Sequence, residues 1–164
     1  MEPVDDHVDG IVDAWVRERP DLDATPVQVF GRISRLSRQV ENELAQVFER
    51  YGLDRGEFDT LATLRRAGAP YALSPSALMQ ATMITSGAAT KRVARLERAG
   101  LVTRSRDRAD GRGRRVRLTA KGMALIDQAV AEHLGTEARL LKGLSSTEAQ
   151  HLASLLRKLG NTLI

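Results

Sequence analysis

Apolar residues recur at helical spacing through most of the chain. Between Val4 and Arg19 they fall at Val4, Val8, Ile11, Val12 and Trp15, one face of a helix that Pro20 stops. Thr25 followed by Pro26 predicts a cap and a first turn, because proline has no amide to leave unpaired there. The helix it opens runs to about Tyr51, with Val29, Phe30, Ile33, Leu36, Val40, Leu44, Val47 and Phe48 along one broad stripe. That stripe is too long and too apolar for a lone surface helix. Asp54 with Glu57 fits a capping box and predicts a third helix over 55–66, which Gly68 and Pro70 end.

After the short extended piece "YAL", Ser74-Pro75 opens a short helix to about Thr82, and a second one runs from about Ser86 to Ala99 before Gly100. The period then changes. "LVTRS" and "RVRLT" alternate as strands do, around the hairpin loop "RDRADGRG". Thr119 caps a long helix to about Leu141, and Ser145 with Glu148 opens the last one. The fold class is mainly α with a small β-hairpin.

Composition narrows the choice. A chain of 164 residues, 42% apolar and 28% charged, suits one globular domain, and with 4% aromatics its core rests on Leu, Val, Ala and Ile. No apolar run approaches the roughly 18 residues of a membrane span, and the start "MEPVDDHVDG" lacks the basic region of a secretory signal. A cytoplasmic protein without membrane contact is expected. With no cysteine, disulfides, thiol redox sensing and thiolate metal sites are excluded. The net charge of +4 is unevenly spread: residues 85–121 hold twelve Lys and Arg against Glu97, Asp107 and Asp110. Charge segregated in this way is the footprint of a polyanion partner.

Two short helices in tandem followed by a basic hairpin describe a winged helix-turn-helix, whose second helix fits the DNA major groove while the hairpin reaches phosphates or the minor groove. In "SGAATKRVARLERAG" the positions Ala89, Val93 and Leu96 share one face and should pack on the domain. That leaves Ser86, Ala88, Thr90, Lys91 and Arg95 for the groove. In the hairpin, Asp110 and Arg112 form the candidate tip, with Arg114 and Arg115 as phosphate contacts.

The stretch "VARLERAGLVTRSRDRADGRGRRVRLTAKG" resembles the recognition helix, wing and following helix start of MarR-type transcriptional regulators. It carries Leu-Glu-x-x-Gly-Leu-Val, the Asp-x-Arg of Asp110 and Arg112, and Leu-Thr-x-x-Gly at 118–122, and departs at Gly111, where many members have arginine. The resemblance implies one MarR-type domain over 1–164, with residues 1–51 and 120–164 forming a helical dimerisation region and 52–119 the DNA-binding region. It implies a homodimer on a pseudo-palindromic double-stranded operator, acting as a repressor. The leucines 152, 155, 156, 159 and 163 of the last helix exceed what one small winged domain can cover, which agrees.

The helix containing "IVDAWVRERP" resembles the extra N-terminal helix of the urate-responsive branch of that family. By resemblance the effector-reading residues are Trp15, Asp59, Arg66 and Arg92, and the effector is urate or a related purine. The chemistry is compatible: urate is a planar anion, arginine pairs with its charge, and an indole offers ring contact and an N–H donor. Asp59 would be displaced by the anion and pass the disturbance on through Arg92. Asp59 and Arg66 are two helical turns apart and so share a face. Taken singly, Trp15 reads better as a packing anchor and Asp59 with Arg66 or Arg92 as a salt bridge; the four together with the extra helix favour a purine-type ligand.

Other classes find less support. His7, His133 and His151 are far apart, and there is no phosphate loop or HExxH spacing, so no enzyme and no cofactor are expected. A metal sensor built on His133, His151, Glu132 and Glu148 is an alternative, as are a MarR-type regulator answering a phenolic or other aromatic anion and a ligand-independent architectural DNA-binding protein.

Overall fold

The computed structural model describes residues 6–82, 85–106 and 114–163, apart from the side chains of Ser86 and Arg106. The chain divides into two compact units, Met1–Glu43 and Leu44–Ile164.

The first unit holds α1 (His7–Glu18) and most of α2 (Thr25–Arg50). Asp6 caps α1 in a reciprocal box with Asp9. Val4 lies outside the described residues. Val8 is completely buried, and its side chain nests against Gly31 of α2, where a larger residue would crowd it. Thr25 is the first residue of α2 rather than its cap, and its amide donates to Asp23 Oδ1 at 2.9 Å.

The second unit carries the core. The end of α2 supplies Val47 and Phe48, α3 (Arg55–Arg66) supplies Phe58, Leu61 and Leu64, and Ile126 and Ala129 come from α6 (Ala120–Leu140). The Asp54–Glu57 capping box forms as its spacing predicts. The two tandem helices are α4 (Pro75–Thr82) and α5 (Ser86–Arg98), capped by Ser74 and Thr85, and Gly100 leaves α5 with φ +71°, a conformation that favours glycine. Ala89, Val93 and Leu96 are all buried.

The wing strands are β2 (Val102–Arg106) and β3 (Arg114–Leu118), antiparallel with Thr103 opposite Arg117 and Arg104 opposite Val116. The "YAL" piece contributes β1 (Ala72–Leu73), which pairs with β3 on its other edge, so the hairpin is part of a three-stranded sheet of order β1-β3-β2. Val102, Val116 and Leu118 are buried, and Arg117, between the last two, is exposed, as period-two alternation requires. A 3-10 turn (Leu141–Gly143) separates α6 from α7 (Ser146–Asn161). Among the described residues no helix is long and apolar enough to cross a membrane.

Candidate nucleic-acid interface

The tandem helices and the sheet set the interface. Burial of Ala89, Val93 and Leu96 turns the opposite face of α5 outward, where Thr90, Lys91 and Arg95 are exposed and Ala88 is half-buried. Ser86 opens the helix, but its side chain lies outside the described residues. On β3, Arg114 is exposed and Arg115 half-buried. Asp110 and Arg112 lie outside the described residues.

Two arginines are tied into the fold. Arg104 joins β2 to α5: its guanidinium donates to the Thr90 carbonyl at 3.4 Å and lies 3.5 Å from Glu97, whose Oε1 accepts the Arg104 amide at 3.2 Å. Arg95 turns toward α3, with Nε 3.0 Å from Glu57 Oε1 and Nη1 3.2 Å from Asp54 Oδ2. The capping box is legible in the sequence; the guanidinium that reaches it from another helix is not.

The residues proposed to read an effector fall on both units. Trp15, on α1 in the first unit, is 49% exposed and lines a shallow groove with His7, Gly10, Ile11 and Ala14. In the second unit Asp59 and Arg66 are both exposed on α3, and Arg66 donates to Thr63 Oγ1 at 2.9 Å. Arg92 is half-buried, its guanidinium lying over Gly56 where any Cβ would collide with it. Among the described residues Asp59 forms no ion pair with Arg66 or Arg92, and neither the Asp59 nor the Arg92 side chain has a hydrogen-bond partner. Sequence reasoning missed Gly56; a glycine in the first turn of a helix is its only signal.

His133 of the metal-sensor alternative packs inside the second unit, its ring 4.9 Å from that of Phe58 and 5.8 Å from that of Phe48, with Nε2 3.2 Å from Glu137.

A groove-facing helix in a tandem pair, backed by a buried face and flanked by an arginine-bearing wing, defines a winged helix-turn-helix DNA-binding protein. The comparisons place it further: residues 51–113 match the MarR family model. The chain is 44% identical over 157 residues to the transcriptional regulator PecS of Dickeya dadantii, covering 96% of this chain and 95% of that protein. Its fold is similar to AbsC, a MarR family regulator from Streptomyces coelicolor, with a TM-score of 0.78, 22% identity, and coverage of 87% and 96% of the two chains. It is also similar to Sco3205, a MarR family regulator from the same organism in complex with DNA, with a TM-score of 0.77, 22% identity, and coverage of 87% and 94%. The chain belongs to the MarR family of DNA-binding transcriptional regulators, which are not enzymes.

Proposed function

We propose that the chain is a homodimeric repressor that holds a pseudo-palindromic operator and is released from it by urate or a related purine. The observation that carries the effector reading is the state of the charged groups on α3 and α5. Asp54, Glu57 and Arg95 are engaged with one another, whereas the side chains of Asp59 and Arg92 make no hydrogen bond or ion pair among the described residues. A half-buried guanidinium without a carboxylate is held at a cost that a planar anion relieves, through paired charge and in-plane hydrogen bonds. Arg66 reaches a hydroxyl rather than a carboxylate and is available to the same ligand.

Support for the dimer comes from the last helix. Leu152, Leu155 and Leu156 of α7 are exposed in the single chain, as is Leu163 just past the end of the helix. An apolar stripe of that kind on a regulator with a paired operator marks a subunit interface.

Trp15 is the single tryptophan, so its emission reports on α1 without interference. Titration with urate is expected to quench it at micromolar to millimolar concentrations, and Arg92→Ala should weaken the response about tenfold or more, the loss of one charge-assisted contact. A fluorescence signal indifferent to urate would remove the purine effector. Quenching by phenolic acids alone would transfer the site to another class of aromatic anion.

A further inference from the structure

Glu57 is a carboxylate in the buried first turn of α3, with its side chain 6% exposed between Gly56 and Phe58. Its Oε2 accepts the Asp54 amide at 3.0 Å, and its Oε1 faces Arg95 Nε at 3.0 Å. The same guanidinium places Nη1 3.2 Å from Asp54 Oδ2. A carboxylate withdrawn from water is tolerated only when a cation and hydrogen bonds compensate it, and removing the cation leaves a buried unpaired charge. Arg95 is therefore engaged within the fold by two carboxylates. A DNA phosphate approaching it meets their negative charge.

One turn earlier on α5, Arg92 rests on Gly56. Residues 92 and 95 are i and i+3 on one helix and so lie on neighbouring parts of its surface. Both close on the same turn of α3, which fixes how α5 is rotated about its axis and which of its side chains face outward.

We propose that Arg95 is a positioning residue: it neutralises Glu57, sets the rotation of the recognition helix on α3, and makes no phosphate or base contact. The inference concerns DNA binding itself and holds whichever effector releases the protein.

The test uses the full chain and a labelled duplex from upstream of its own gene, with affinity measured over a range of salt concentrations. Arg95→Ala is expected to weaken binding about tenfold without changing the slope of log affinity against log salt. Adding Glu57→Gln, which removes the unpaired charge, should recover most of that loss, and Arg95→Lys should stay near the parent. A slope shallower by about one, with no recovery from Glu57→Gln, is what loss of a phosphate contact requires and would overturn the proposal. Unchanged affinity in Arg95→Ala would overturn it as well. Should Arg95→Ala fail to fold, the pair Arg95→Gln with Glu57→Gln removes both charges together and is read by the same slope.

Discussion

Gly122, in the first turn of α6, packs against the backbone of Leu101, and a Cβ there would collide with that residue's carbonyl oxygen. Thr119, the cap of the same helix, donates its hydroxyl to the Gly100 carbonyl at 2.7 Å, so the recognition helix, wing and α6 meet at this point. Neither partner can move without shifting backbone. Gly122→Ala is expected to cost about 1–3 kcal/mol and to lower the thermal midpoint by roughly 2–12 °C, measured by circular dichroism. Gly56→Ala meets only the end of a flexible arginine and should cost little stability while displacing Arg92. Equal losses at the two positions would contradict this distinction. The glycine of the Leu-Thr-x-x-Gly run is visible in the sequence, but the carbonyl that excludes a side chain there is not, because it comes from the bend before β2, about twenty residues earlier. Arg95 shows the same limit: helical spacing marks it as polar and outward, and only the neighbouring helix supplies the carboxylates that hold it.

At the scale of elements, α1 is tied to α2 by charge. Asp9 Oδ2 accepts the Asp6 amide at 2.8 Å and faces Arg32 Nη2 at 2.8 Å, while Arg32 Nε reaches Asp6 Oδ2 at 3.0 Å. The backbone hydrogen bond from Asp6, with the Arg32 guanidinium second, holds the Asp9 carboxyl at about 2, below its ordinary 3.8. A carboxyl depressed in the folded state stabilises that state while ionised, so the contribution is present above the ordinary value and is lost as pH falls toward 2. Trp15 emission should therefore show an acid transition between about pH 4 and 2 that Asp9→Asn removes. Superimposable acid curves for the two proteins would contradict the tie. Most elements were legible because the capping boxes at 54 and 145 and the helical stripes are local signals. The third strand was legible only as the short extended piece "YAL", since its pairing with β3 is non-local.

Within the second unit, the basic stretch and the exposed leucines of the last helix fall on different elements. The basic residues cluster over 85–121, where the recognition helix and wing lie, and exposed leucines mark α7. The basic hairpin directly after two tandem helices, together with the resemblance of the wing motifs, made the DNA-binding class readable from one sequence. The proposed effector rests on resemblance alone, because Trp15, Asp59, Arg66 and Arg92 stand at scattered positions whose chemistry suits several planar anions. One titration decides between a regulator released by a purine and one that is not. Fluorescence anisotropy of a labelled upstream duplex, saturated with the full-length protein, is followed as urate is added. The proposed function predicts that anisotropy falls to the free-duplex value in the micromolar to millimolar range. A complex that persists at saturating urate, while the same duplex is still displaced by unlabelled operator, would contradict it.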